Sequence, residues 1–161
     1  VQMNDIEYDA ELSECGEYRY RLSRIWDERK KPLTFIMLNP STADAEVDDP
    51  TIRRCMGFAE REQAGGIIVV NLYGFRATRP FDLFQATDPI GPGNDRALKR
   101  AARQAKFIVC AWGAHAPPNR VAYVRALLDQ HRLSCLGTTK HGAPKHPLYL
   151  RRDQPLEHYQ P

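Results

Sequence analysis

The sequence lacks the long hydrophobic segments of membrane proteins and the leader of secreted ones. No apolar run approaches the ~20 residues that a membrane-spanning helix needs. The opening segment, VQMNDIEYDA, has neither the basic start nor the apolar core of a signal peptide. We therefore expect a cytoplasmic protein that has no membrane partner.

Cysteine is scarce and scattered. The four cysteines stand at positions 15, 55, 110 and 135, with no CxxC pair among them. Metal sites usually show tight local spacing of their ligands, so this pattern argues against zinc and iron–sulfur sites. We expect free thiols, no metal site and no cofactor.

A strong excess of one charge is also missing. The formal net charge is +3, and a composition of 42% hydrophobic and 27% charged residues is typical of a globular domain. Basic residues are nevertheless concentrated between Arg19 and Lys31 and between Lys140 and Arg152. If the fold brings these two segments together, they form a basic face for phosphates. A scatter of solvated surface charge explains the composition equally well.

The chain contains no repeat and no low-complexity segment, and its 161 residues suffice for one hydrophobic core. We predict a single α/β domain over residues 1–161, with 1–15 and 152–161 loosely held. Nothing in the sequence implies an obligate protein partner.

The most informative stretch is a short apolar run that ends in a polar loop. The run 33–38 is too short for a helix and too apolar for a half-exposed strand, which is typical of a strand buried in a parallel sheet. The proline that follows ends the strand pairing. The loop contains Asn39, Pro40, Ser41, Thr42 and Asp44. Open α/β sheets bind ligands at such carboxyl ends, although an ordinary Asx-Pro turn has the same sequence.

Further apolar runs alternate with helical patterns along the chain. The runs are 67–70, 107–112 and 133–136, and the helical patterns are 51–63, 94–104 and 120–130. This alternation predicts a three-layer α/β/α domain with a mainly parallel central sheet of four strands. Residues 17–26 predict an edge strand or hairpin arm with arginines on a solvated face. Asp49 before Pro50 predicts one helix N-cap, and Asn94 or Asp95 predicts another.

Polar residues follow all four predicted strands, and right-handed crossovers place those strand ends at one edge of the sheet. The residues at this edge are Asn39, Ser41, Asp44, Asn71, Arg76, Gly113, His115, Thr138 and Lys140. Arg76 and Lys140 are loop cations suited to phosphate, and Asp44 is suited to act as a base or a negative charge. Asp48 and Asp49 offer the same chemistry, although for Asp49 we favour helix capping. For Asn71, a turn at a strand end is an equal alternative.

Across most of its length the sequence resembles a bacterial and phage family whose function is not established. The shared motifs are LNPSTAD, DDPTIRR, NLxxxRAT, AWG and HPLYL. More distantly, the order of its strand-end motifs is similar to that of the uracil-DNA glycosylase superfamily. The corresponding segments are LNP at 38–40, VVNLYGFRAT at 69–78, AWGAH at 111–115 and KHPLYL at 145–150. The sequence departs from that superfamily in two ways: no aromatic follows the first motif where one stacks on the extruded base, and His-Pro-Ser becomes His-Pro-Leu.

The second resemblance implies a glycosylase-like fold and a role for each motif. Asn39 would position the attacking water, Asn71 would bind the flipped base, and His146 would donate to the leaving base. The candidate catalytic residues are therefore Asn39, Asp44 and His146. The candidate substrate-binding residues are Pro40, Ser41, Thr42, Asn71, Arg76, Gly113, His115, Lys140 and Lys145.

The expected activity is that of a nucleobase-recognising N-glycosidase, which hydrolyses the N-glycosidic bond of a nucleic acid or nucleotide. A noncatalytic nucleic-acid or nucleotide-binding module on the same fold is the alternative, and an unrelated small-molecule hydrolase is a third. The weak net charge and the missing aromatic favour a small substrate, or binding alone, over the repair of duplex DNA.

Overall fold

A computed structural model describes residues 5–41 and 48–160, which form seven strands and four helices. The strands are β1 (Glu7–Leu12), β2 (Arg19–Ile25), β3 (Leu33–Met37), β4 (Gly66–Asn71), β5 (Phe107–Cys110), β6 (Leu133–Cys135) and β7 (Glu157–His158). The helices are α1 (Pro50–Arg61), α2 (Pro80–Gln85), α3 (Asn94–Gln104) and α4 (Pro118–Leu127). All described strands belong to one sheet, in the order β1-β2-β4-β3-β5-β6-β7.

The four strands at the centre of this sheet, β4, β3, β5 and β6, are parallel to one another. They correspond to the four predicted apolar runs, and the prediction of an α/β fold is confirmed. The sheet is larger than the predicted four strands, because antiparallel strands extend it on both sides. The parallel pairing places the carboxyl ends of the central strands at one edge.

Two of the added strands lie in segments that we expected to be loosely held. Strand β1 pairs with β2, and β7 pairs with β6 over two residues. Both are edge strands, and β1 has the sequence EYDAEL with mostly exposed side chains. An edge strand that buries little apolar surface shows no hydrophobic alternation, so its sequence reads like a polar loop.

Strand β2 forms a hairpin with β1, which was one of the two predicted alternatives, and it lies inside the sheet between β1 and β4 rather than at the edge. The prediction of a solvated arginine face was therefore wrong, and Arg19 and Arg24 are buried. Glu11 pairs with Arg21 and Leu12 pairs with Arg19, so Tyr20 is one extra residue in β2. Such a bulge re-aims the side chains that follow it. It lets Arg19 and Arg24, five residues apart, share one face of the sheet.

The ring of Tyr20 is held at this bulge by glycines from the loops beyond the sheet. A Cβ atom on Gly93, the residue before α3, would lie 2.9 Å from the Tyr20 ring. Gly91 has a φ of +88°, and a Cβ there would lie 2.6 Å from the neighbouring Tyr18 ring. Side chains are thus excluded at both glycines by the space that the two tyrosines occupy.

Successive residues of the central strands enter two separate hydrophobic clusters. Leu33, Phe35 and Met37 pack with Ile67, Val69 and the buried stripe of α1. Ile36, Ile68, Val70 and Ile108 pack with the buried residues of α2, α3 and α4. This alternation places α1 on one face of the sheet and the other described helices on the opposite face.

The helix starts agree with the sequence in one case and differ in the other. Asp49 caps α1, and its Oδ1 accepts a hydrogen bond from the Ile52 backbone N–H at 2.8 Å. Helix α3 has Gly93 at its N-cap position and no side-chain cap. Asn94 is instead fully buried and donates to the carbonyl oxygens of Asn71 and Leu72, which ties α3 to the end of β4. No helix among the described residues is long and apolar enough to cross a membrane.

Candidate active site at the strand ends

The loop after β3 is fastened to the loop after β4 by Asn39. The Asn39 side-chain nitrogen donates to the carbonyl oxygens of Ala77, at 2.8 Å, and Pro40, at 3.0 Å. The Ala77 backbone N–H donates back to Pro40 at 3.1 Å. Both amide hydrogens of Asn39 are thereby used, which fixes the amide plane and leaves the Oδ1 atom for another partner.

Asn71 closes β4 beside Met37, its register partner on β3. It alternates with Ile67 and Val69, so its side chain belongs to the face that α1 covers. Asn71 is only 2% exposed. Asn71 therefore lies below the surface at the carboxyl ends of the strands, and only a ligand group that enters between the loops would contact it.

Two buried arginines of β2 reach the same face. The guanidinium of Arg24 is fully buried, pairs with Asp48 at 2.8 Å and lies 4.4 Å from the ring centre of Tyr8. Arg19 is 7% exposed, and burial together with the nearby charges of Arg76 and Arg24 lowers its pKa to about 10. Asp49 opposes that shift. The carboxylates of Asp48 and Asp49 balance part of the positive charge of these arginines.

Arg76 joins this group from the loop after β4. Its side chain donates to the Gly16 carbonyl at 3.1 Å, and its backbone N–H donates to Glu17 at 2.9 Å. Tyr18 and Phe75 form a further antiparallel bridge beside it. The Arg76 loop is therefore held against the β1–β2 turn, next to Arg19.

His146 approaches the same place from the carboxyl-terminal part of the chain. Its Nδ1 accepts the Leu148 backbone N–H at 3.2 Å, so the proton of the neutral ring lies on Nε2. The ring is exposed, yet the surrounding protein lowers the pKa of His146 by desolvation, and the nearby Asp49 carboxylate opposes this. The neutral ring is thus a hydrogen-bond donor at the mouth of the site.

Gly113 lies directly beside this histidine. Its backbone N–H donates to Pro144 at 3.0 Å, and a Cβ atom on Gly113 would lie 3.9 Å from the His146 Cβ atom. Gly113 has a φ of +78°, in the left-handed region that glycine tolerates best. The AWG and HPL segments are therefore brought together.

The structure thus gathers part of the predicted site. We call this group the strand-end cluster, and its members are Arg19, Asn39, Asp49, Asn71, Arg76, Gly113 and His146. Pro40 is buried and accepts two of the hydrogen bonds that join the loops, and Ser41 follows it at the limit of the described segment. Thr42 and Asp44 lie outside the described residues.

Three other predicted residues lie around the cluster rather than in it. Lys145 precedes His146, and its side chain packs over Gly137. Lys140 is exposed at the tip of a hairpin whose arms meet at Thr138 and Pro144. His115 is exposed, and within the described ranges no hydrogen bond links its side chain to the cluster.

The residues that sequence analysis did not assign to the site are Arg19 and Arg24. Their spacing of five residues places them on opposite faces of a regular strand, so no period-two pattern predicts their meeting. The bulge at Tyr20 is what brings them together. In the part of the chain that the structure describes, no three His, Cys, Asp or Glu side chains are placed to hold a metal.

Comparison with known proteins gives a family and no assigned activity. Residues 19–148 match the family described as "Protein of unknown function (DUF1643)". Searches of curated proteins and of solved structures gave no match. The family match includes every described member of the strand-end cluster. It covers most of the chain, which therefore belongs to this family of proteins of unknown function.

Proposed function

We propose that this protein hydrolyses the N-glycosidic bond of a nucleotide or nucleic acid at the strand-end cluster, on a uracil-DNA glycosylase-like three-layer fold. The observation that carries the proposal is the approach of Gly113 to His146, with the Asp49 carboxylate near enough to act on the histidine. Gly113 and His146 come from segments far apart in sequence, and each belongs to a motif whose order resembles that of the superfamily. Asn39 and Asn71 end the two neighbouring strands of the same edge.

The reaction needs a positioned water, a stabilised sugar cation and a donor to the departing base. Water attacks the anomeric carbon, the carbon–nitrogen bond breaks, and its electron pair leaves with the base. The Oδ1 of Asn39 is the atom that orients the water, because the Nδ2 hydrogens are already bonded. Asp44 is the residue that we expect to accept the water's proton.

His146 stabilises the leaving base in this scheme. Its Nε2–H is the donor that the Leu148 contact selects, and a neutral imidazole can donate one hydrogen bond to a carbonyl oxygen of the anionic base. The carboxylate of Asp49 is close enough to act on His146 electrostatically, and it also favours a cationic sugar.

The arginines suggest that the substrate carries phosphate. Arg19 and Arg76 bring positive charge to the cluster, and cations beside a site attract a phosphate group. Lys145 adds a further cation one residue before His146. Asn71 then reads the edge of the base from the floor of the site, with one donor and one acceptor.

A noncatalytic binding module is the second candidate, and the Asn39 geometry favours it. An asparagine whose amide joins two loops has a sufficient structural reason to be present. Such a protein would bind the same ligand through the arginines and Asn71 and would leave the bond intact.

A screen for base release separates the two candidates. Nucleosides, nucleotides and oligonucleotides with normal and modified bases are incubated with the protein, and free base is measured by chromatography. We expect release from a phosphate-bearing substrate, with loss of release in His146→Ala. His141→Ala, an exposed histidine on the neighbouring hairpin, should retain the activity. Tight binding without release by the wild type would establish the noncatalytic alternative.

A further inference from the structure

A second pocket opens on the opposite face of the sheet, among α2, α3 and α4. Its volume is about 610 Å³, and Tyr73, Phe84, Asp95, Arg120 and Tyr123 are among its lining residues. Tyr73 belongs to the hydrophobic cluster of that face, whereas α1 and its cluster lie on the other. The strand-end cluster described above uses none of these residues.

Three aromatic rings form the walls of this pocket. The rings of Tyr73 and Phe84 meet edge to face, with centroids 5.5 Å apart. The guanidinium carbon of Arg120 lies 5.9 Å from the Tyr73 centroid and 5.2 Å from the Tyr123 centroid. Phe84 and Tyr123 remain 41% and 54% exposed, so two of the three rings have surface left for a ligand. Aromatic walls of this kind favour a flat ring.

The polar groups of the pocket are a donor and an acceptor side by side. Arg120 is only 5% exposed, and it donates from Nε to the Leu72 carbonyl at 2.8 Å and from Nη2 to Asp95 at 2.7 Å. Among the described residues, its Nη1 hydrogens have no acceptor. Asp95 is partly exposed and has a second carboxylate oxygen.

We propose that this pocket binds a nucleobase-type ring, a flat nitrogen heterocycle with a donor and an acceptor adjacent on one edge. The ring would lie against Phe84 and Tyr123, accept from Nη1 of Arg120 and donate to the carboxylate of Asp95. Because Asp95 balances the charge of Arg120, the pocket selects a neutral base rather than a phosphate. The Nη1 hydrogens of Arg120 can donate to a ligand, and a ligand that supplies the acceptor binds better than one that does not. The proposal stands independently of the proposed glycosidase activity.

The test uses adenosine, which has no phosphate, and purine riboside, which lacks only the 6-amino donor. Amide signals of Tyr73, Arg120 and Tyr123 in ¹⁵N-correlated spectra report the second pocket, and those of Gly113 and His146 report the strand-end cluster. We expect adenosine to shift the first set in a saturable way. Purine riboside should bind there roughly tenfold more weakly, the scale of one hydrogen bond to a charged group.

Variants identify the contacts. Phe84→Ala and Tyr123→Ala should each weaken adenosine binding roughly tenfold or more, as expected for loss of base–aromatic stacking. Phe81→Ala is the matched control, because Phe81 lies on the same helix, is 67% exposed and does not line the pocket. Asp95→Asn should lower the affinity for adenosine to that for purine riboside. The amide oxygen of the new side chain would accept from Arg120, so its NH₂ group would face the 6-amino group of adenosine, and two donors cannot bond to each other.

Several results would overturn the inference. These are an absence of adenosine-induced shifts in the pocket signals, equal affinities for the two nucleosides, and an equal effect of Phe81→Ala and Phe84→Ala. Base release is measured in a separate assay. A lack of adenosine binding at this pocket would therefore not contradict the proposed glycosidase activity, and a lack of base release would not contradict adenosine binding at this pocket.

Discussion

The side-chain nitrogen of Asn39 lies 2.8 Å from the carbonyl oxygen of Ala77, in the loop that follows the neighbouring strand. With the return bond from the Ala77 N–H to Pro40, it makes one hydrogen-bonded unit of the loops after β3 and β4. A residue that the sequence suggests for catalysis thus also has a mechanical role, and substitutions separate the two roles.

Asn39→Ala should lower the free energy of unfolding by about 1–2 kcal/mol, because partly buried carbonyl groups lose their donor. Asn39→Asp also lacks the N–H groups and should be at least as unstable, but it keeps an oxygen for the water. We therefore expect base release to vanish in Asn39→Ala and to persist in part in Asn39→Asp. Urea unfolding and the base-release assay measure the two effects, with exposed Asn119→Ala as the control. Full activity in Asn39→Ala would leave only the structural role.

Asp49 combines a helix cap with a charge that acts on His146. Asn caps as well as Asp, so Asp49→Asn should lose only the attraction between the carboxylate and Arg19, whereas Asp49→Ala should also lose the cap, worth about 1 kcal/mol. The Asp49 carboxylate raises the pKa of His146. Both variants lack this carboxylate, so the pKa of His146 should fall in each. An NMR titration of the His146 ring gives the pKa, and urea unfolding gives the stability. An unchanged pKa in Asp49→Asn would mean that the two groups do not interact.

The lowered pKa of His146 makes stability depend on pH in one direction. The ordinary pKa of histidine is about 6.5. As the pH falls below that value, His146 takes up a proton in the unfolded chain but not yet in the folded protein, so the free energy of unfolding decreases. His146→Gln has no such group, and its amide oxygen can still accept from the Leu148 N–H. The stability of wild type relative to His146→Gln should be constant above pH 7 and should decline towards pH 5. A flat difference would contradict the shift.

Lys145 and Lys140 should differ in their effect on nucleic-acid binding. Lys145 adjoins His146, whereas Lys140 is at an exposed hairpin tip. Each phosphate contact on a duplex contributes roughly −0.9 to the slope of log affinity against log salt. Lys145→Ala should reduce the slope by about one contact, and Lys140→Ala serves as the matched lysine control. Titrations of a labelled oligonucleotide at several salt concentrations measure the slope, and a wild-type slope in Lys145→Ala would remove Lys145 from the interface.

Tyr149 is 93% exposed in the HPLYL segment, three residues after His146. An aromatic side chain with this exposure contributes little to folding but offers a face on which a base can stack. Tyr149→Ala should leave the unfolding free energy within about 0.5 kcal/mol of wild type. It should weaken single-stranded oligonucleotide binding by about 1–3 kcal/mol. Unchanged binding would show that this side chain does not contact the ligand.

The sequence predicts most of the central sheet because its strands are continuous apolar runs with helices between them. β3 to β6 and the helices after them lie close to the predicted ranges. The sequence does not predict the position of a strand in the sheet where apolar and polar residues do not alternate according to their burial. β1 is an exposed edge strand, and β2 is an internal strand whose buried side chains include arginines.

The site shows the same division. Gly113 and His146 lie next to each other, and both belong to motifs that are visible in the sequence. Arg19 shares a face of the sheet with Arg24 through a one-residue bulge, and Asn94 leaves its expected capping position to bond with the end of β4. The positions of Arg19 and Asn94 depend on contacts with residues distant in sequence, and a local sequence pattern does not predict such contacts. The roles of Asn39, Asn71 and His146 in a reaction stay predictions.

The contact between Gly93 and the Tyr20 ring has a consequence for how the two faces of the sheet depend on each other. The face on which Arg19 lies depends on the number of residues in β2 and not on their type. Deletion of Tyr20 would remove the bulge and turn Arg19 to the other face of the sheet. A methyl group at Gly93 would press on that ring from the α3 side. A substitution at the start of α3 would therefore act across the sheet, by displacing the charge of Arg19 near Asp49 and Arg76.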